Sequence, residues 1–203
     1  MASKFVLGCG IALLVVGALL GITIVGSYNR LVALDQGVQS QWAQVENVYQ
    51  RRADLVPNLV ETVKGAANFE RETLQAVVEA RASIGQWKGE TARSLVNDPA
   101  GLAKFQRAQD GLSSALSRLL VVVERYPELK ANANFRDLQA QLEGTENRIT
   151  VERRRYNEAA RAFNTKRNTF PTVMLAGFFG DRFKEKVYFK AQEGAATPPK
   201  VQF

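Results

Sequence analysis

Histidine is absent from this chain of 203 residues, and Cys9 is its one cysteine. The first absence removes the side chain most often used as a general base near neutral pH and as a metal ligand. Ser-His-Asp and Cys-His arrangements cannot be assembled within the chain. A zinc site of the usual His and Cys kind is excluded too, because one thiol cannot build it. No segment matches the phosphate-loop pattern G-x-x-x-x-G-K-[ST], and Gly177-Phe178-Phe179-Gly180 lacks the strand-turn-helix setting that gives glycine spacing meaning. Carboxylates remain. Glu143 and Glu146 share one side of a helix and could in principle share a cation or a proton. Arg136 and Arg148 lie nearby in sequence, so a solvated ion-pair face is the simpler reading. The expectation is a protein that is not an enzyme, with no catalytic residue, no metal and no cofactor.

The chain opens instead on a long apolar run. Residues 5–26 carry no charge. At about 1.5 Å of rise each, they suffice for the roughly 30 Å hydrocarbon layer. Lys4 flanks one end, and Tyr28 with Arg30 the other, as membrane-interface anchors. A cleaved signal peptide would have an apolar region of only about 7–15 residues before a small-x-small site, so an uncleaved anchor is expected. Cys9, after Val6-Leu7-Gly8, loosely resembles a lipoprotein box. Most of the apolar stretch follows it, however, which favours a cysteine buried in the membrane. Gly17 and Gly21 have the spacing that lets membrane helices approach, although glycine is common in such helices. Lys4 and the terminal amine, set against Arg30 and Asp35, favour a cytoplasmic N-terminus. The main domain would then lie outside the cytoplasm, on a single pass through the inner (cytoplasmic) membrane.

Helical periodicity fills the rest. Leu31, Leu34, Val38, Trp42, Val45, Tyr49, Leu55, Leu59 and Val63 recur at mostly three- and four-residue spacing, as on one helical face. Pro57 is expected to interrupt this helix with a kink. A second helix follows Asn68, with Leu74, Val77, Val78 and Ile84 apolar. Asp98-Pro99 is a start signal for a third, which carries Leu102, Phe105, Leu112, Leu116, Leu119 and Val123. The run at 119–123 is β-prone alone, but its place in this pattern favours helix. In a fourth, from about Asn134, Phe135, Leu142, Ile149, Tyr156, Phe163 and Phe170 stand seven apart. Its alternate positions mix Leu138 and Ala159 with Thr145, Glu152 and Lys166, which reads as an interface rather than a core. A strict seven-residue repeat favours a left-handed supercoil. The fold class is therefore all-α: one transmembrane helix, then an elongated antiparallel bundle of three or four helices with coiled-coil character. Residues 1–26 would form the anchor, 27–190 the bundle and 191–203 a flexible tail.

The basic residues are unevenly placed. Residues 148–190 hold 11 Lys plus Arg against 4 Asp plus Glu, and everything else balances at 16 of each sign. Within it, residues 170–189 hold five of the 11 Phe. Three readings fit: a hydrophobic plug on the bundle with solvated charges, a membrane-surface or partner-docking element, and nucleic-acid binding. The last suits a membrane-anchored chain poorly. For the docking reading the candidate contacts are Arg182, Lys184, Lys186 and Lys190 with Phe178, Phe179 and Phe183.

Several motifs follow in order. They are Tyr28-Asn29-Arg30-Leu31-Val32, then Arg51 to Gly65 with Asp54-Leu55-Val56-Pro57-Asn58-Leu59, then Glu124-Arg125-Tyr126-Pro127. Leu142-Glu143-Gly144-Thr145-Glu146-Asn147, Arg155-Tyr156-Asn157-Glu158-Ala159, Phe163-Asn164-Thr165 and Phe170-Pro171 complete the series. Together they resemble the LemA family of bacterial membrane proteins over nearly the whole chain, up to about Ala191. Asn68-Phe69-Glu70 and Arg153-Arg154 depart from the pattern at positions that are not diagnostic. The resemblance implies an N-terminal membrane helix and an antiparallel helical domain, with no catalytic residue or cofactor to carry over. Magnetosome-associated relatives point to membrane organisation, and other members resemble partners of membrane proteases. The expected function is a membrane-anchored scaffold that organises proteins or lipid. The alternatives are an accessory to a membrane enzyme and, disfavoured, an enzyme of unknown type. Expected partners are membrane lipid, a second copy or another membrane protein, and no nucleic acid.

Overall fold

A computed structural model describes residues 2–65, 70–87 and 89–190. The tail at 191–203, the segment around Asn68 and the side chains of Lys4 and Cys9 lie outside the described residues. Among those described there are seven α-helices and no strand. They are α1 (Ala2–Lys64), α2 (Arg71–Ile84), α3 (Glu90–Ser94), α4 (Pro99–Val123), α5 (Pro127–Ala131), α6 (Ala133–Asn168) and α7 (Thr172–Phe178). Two 3₁₀ turns, Leu95–Asn97 and Gly180–Phe183, complete the set. The chain divides into two compact units. One takes Met1–Ser40 and Glu158–Lys186; the other takes Gln41–Asn157 and Val187–Phe203.

Helix α1 continues through Pro57 with no new start there. A proline inside a helix offers no N–H to the carbonyl four residues back, here Ala53. Arg81 of α2 fills that place, its Nε donating to the Ala53 oxygen at 3.0 Å. The orphaned acceptor thereby becomes a point where α2 docks. Helix α4 starts where Asp98-Pro99 predicts, the Asp98 carboxylate accepting from the Ala100 N–H at 3.0 Å. Gly101 must be small, since a Cβ there would collide with that carboxylate and stand 2.9 Å from Leu95 Cδ2. Residues 119–123 are helical.

In the larger unit, α1, α2, α4 and α6 share an apolar core that includes Leu59, Val63, Val77, Leu112, Leu116, Leu119 and Leu142. Of the apolar residues of α2, Val77 and Ile84 are buried and Val78 is exposed. An aromatic cluster adjoins: Phe189 stacks on Trp42 at 5.7 Å, and Tyr156 meets Trp42 edge-on at 5.3 Å. Arg52 is buried among polar partners. Its Nη1 donates to Ser113 Oγ and Glu146 Oε1, both at 2.7 Å, and its Nη2 donates to the Gln109 side-chain and backbone oxygens. Glu146 therefore serves Arg52, whereas Glu143 accepts from Gln139 at 3.1 Å.

The heptad of α6 holds from Phe135 to Phe163, all buried, and fails at Phe170. The helix ends at Asn168, ahead of Pro171, so the last aromatic leaves the repeat. Thr145, read as an interface position, is buried and returns its hydroxyl to the Gln141 carbonyl at 2.7 Å. Glu152 is half-buried and pairs with Arg155 at 2.8 Å. The mixed positions are thus partly core.

Candidate membrane-facing site

Among the described residues the apolar part of α1 is uncovered. Leu13, Leu14 and Ile22 are all exposed, Leu14 by 76%. Among the described residues α1 is the one helix long and apolar enough to cross a membrane. Such side chains lose nothing by exposure to hydrocarbon, whereas water would make a contiguous patch of this size unfavourable.

Tyr28 follows two residues after Gly26, where the apolar run ends. Its ring lies 5.1 Å from Phe179 and 5.7 Å from Phe183. The Arg182 guanidinium sits over the same ring at 5.5 Å, a distance at which cation and ring face attract. Arg167 of α6 fastens the turn, its Nε donating to the Phe183 carbonyl at 2.6 Å. These contacts hold α7 beside the end of the apolar run.

Helix α7 has two faces. Thr172 and Ala176, four apart, are buried, while Met174 and Phe178, also four apart, are 68% and 84% exposed. Phe170, just ahead of the helix, is 79% exposed, and Val173 and Phe179 add to the patch. Small residues turn inward and the largest apolar ones turn out, the reverse of a helix packed for water.

The seven candidate contacts divide. Arg182, Lys184, Phe178 and Phe179 are exposed. Phe183 and Lys186 are interior, which corrects their expected surface placing. Phe183 is 1% exposed and packs on Tyr28 and Phe163. Lys186 pairs with Asp35 at 2.6 Å and lies 4.8 Å from the Phe163 ring centroid. A long amphipathic side chain buries easily once a carboxylate meets its head, and sequence spacing places no partner 151 residues away. Lys190 is exposed, and its carbonyl accepts from Arg153 and Gln106 in the larger unit. Of the interface anchors, Tyr28 is half-buried under these aromatics and Arg30 is exposed.

Sequence reasoning did not single out Phe170, Val173 and Met174 as part of the exposed apolar patch; the small inward pair Thr172 and Ala176 was the available signal. It also missed two asparagines. Asn164 grips Lys186 in the smaller unit, Nδ2 donating to its carbonyl and Oδ1 accepting from its N–H, each at 2.8 Å. Asn157 grips Phe189 likewise in the larger unit, at 3.0 and 2.9 Å. They explain why the Tyr156-Asn157 and Phe163-Asn164 motifs couple an inward aromatic to an amide: the ring packs and the amide satisfies an extended backbone.

The larger unit also has a concavity of about 420 Å³, lined by Glu46, Tyr49, Arg81, Trp87 and Phe105 among others. Burial raises the Glu46 carboxyl above its usual value, with Arg93 opposing. Burial likewise raises the Tyr49 phenol.

An exposed apolar helix and an exposed aromatic turn beside it define a membrane-associated helical protein. The chain belongs to the LemA family, whose model matches residues 41–203. That match runs through 191–203, beyond the expected limit near Ala191. Curated relatives carry related names. Magnetosome protein MamQ 2 of Paramagnetospirillum magneticum is 28% identical, over 87% of this chain and 69% of its own. Magnetosome protein MamQ of Magnetospirillum gryphiswaldense is 26% identical over the same shares. Protein LemA of Metamycoplasma hominis is 25% identical over 75% of this chain and 64% of its own. None of these names is that of an enzyme.

Proposed function

We propose that this protein is a membrane-anchored, non-enzymatic helical scaffold that organises membrane proteins or lipid, in part by self-association. The observation that carries the reading is the outward face of Phe170, Met174 and Phe178, held through Phe179 against Tyr28 at the end of the apolar run. A span fixes the chain in the bilayer, and this face gives it a second hold at the interface. Each large apolar side chain moved out of water contributes roughly 1.5–3 kcal/mol. Arg182 and Lys184 beside it suit an anionic surface. The N-terminus is assigned to the cytoplasm and the helical domain to the opposite side.

A spin label at Phe178→Cys, in a Cys9→Ser background, tests the second hold in reconstituted vesicles. Greater access to oxygen than to a water-soluble nickel relaxant is expected. The reverse order would remove the interfacial face. Mass measurement in detergent tests self-association, and a strict monomer with no co-purifying partner counts against the scaffold. Consistent recovery with a single membrane protease would favour the accessory reading instead.

A further inference from the structure

We propose that a groove in the smaller unit holds the phosphate of an anionic phospholipid, an inference that rests on reading α1 as a membrane span. The groove has a volume of about 460 Å³ and is lined by Arg30 of α1, by Arg161, Thr165 and Lys166 of α6, and by Thr169 just beyond. Residues 161, 165 and 169 are four apart, and 162 and 166 likewise, so a single face of the α6 end supplies that wall. Arg30 stands four residues past Gly26, about 6 Å along the axis. Lipid phosphates lie at that level.

The chemistry suits a phosphodiester. Two guanidiniums and an ammonium provide charge-assisted donors, and Thr165 adds a hydroxyl, whereas the Thr169 hydroxyl donates to the Lys166 carbonyl at 2.9 Å. Glu158 is the one carboxylate in the wall, which leaves an excess of two positive charges. The C-terminal end of α6 opposes an anion with about half a charge, so the cations prevail. Leu34 and Ala162 supply an apolar side, which a glycerol backbone and acyl carbons would cover and a free phosphate would not.

The test uses the full chain in neutral detergent with fluorescent phosphatidylglycerol, and phosphatidylcholine as the comparison lipid. Wild type is expected to prefer phosphatidylglycerol. Arg161→Gln and Lys166→Gln should each weaken that preference about fivefold, while Arg118→Gln, an equal charge loss on α4, should leave it unchanged. Melting curves establish that the variants remain folded. Equal losses in all three variants would overturn the proposal, as would displacement of the lipid by inorganic phosphate at similar concentration. Extraction of the wild-type chain from membranes by alkaline carbonate would overturn the span itself. Carbonate-resistant chain without lipid preference would overturn the groove alone.

Discussion

Asp35 and Lys186 offer a test in which two opposite halves of one ion pair should behave differently. The Lys186 ammonium lies 2.6 Å from Asp35, with side chains 2% and 24% accessible. Asp35→Asn keeps the shape and removes the compensating charge, leaving an ammonium inside the protein. Breaking a buried pair in this way costs about 3–5 kcal/mol, and the partly wet partner argues for about 3. Lys186→Met removes the buried charge instead. Asp35 then meets water, and the thioether packs on Phe163, 4.8 Å from the present ammonium, so about 1 kcal/mol is lost. For a chain of this size about 1 kcal/mol corresponds to about 2–4 °C in Tm. Circular dichroism melts of the full chain in detergent should thus show Asp35→Asn lower by about 6–12 °C and Lys186→Met by about 2–4 °C. The double variant should resemble Lys186→Met. If Lys186→Met is the more damaging, or the double variant is no better than Asp35→Asn, the desolvated ammonium is not what dominates this site.

Arg52→Met should cost about 2–4 kcal/mol, because the buried Gln109 side chain loses its donor while the half-exposed Glu146 regains water. Adding Gln109→Leu should recover most of it in urea melts; failure to recover would show that packing, not the orphaned amide, is at stake. Gly101→Ala should cost about 1–3 kcal/mol by displacing the Asp98 cap, despite the better helix propensity of alanine; a gain in Tm would refute the collision. Burial raises the Tyr156 phenol well above its ordinary value of 10.0. The stability from holding it neutral is complete below the unfolded value and is lost as pH rises through the folded one. Tyr156→Phe forfeits the 2.9 Å bond to the Val187 carbonyl, worth about 1 kcal/mol at neutral pH. Its deficit should shrink in strongly alkaline buffer, and a deficit independent of pH would contradict the buried phenol.

Apolar periodicity, start signals and the uncharged run at the N-terminus were legible from residues alone, because each is a local property of consecutive side chains. So were the start of α4 at Asp98-Pro99 and the inward heptad from Phe135 to Phe163. Pairings between distant residues were not. Nothing local says that Arg81 will meet the carbonyl freed by Pro57, that Glu146 will serve Arg52, or that Lys186 will find Asp35. The same limit divided the basic, aromatic stretch near the C-terminus. Its composition marked the region, but charge and ring content are blind to direction. Packing turned Phe183 and Lys186 inward, where a ring cluster and a carboxylate compensate their burial, and left Met174 and Phe178 exposed. Composition could locate the basic, aromatic region; the arrangement of neighbours sorted its residues into interior and surface.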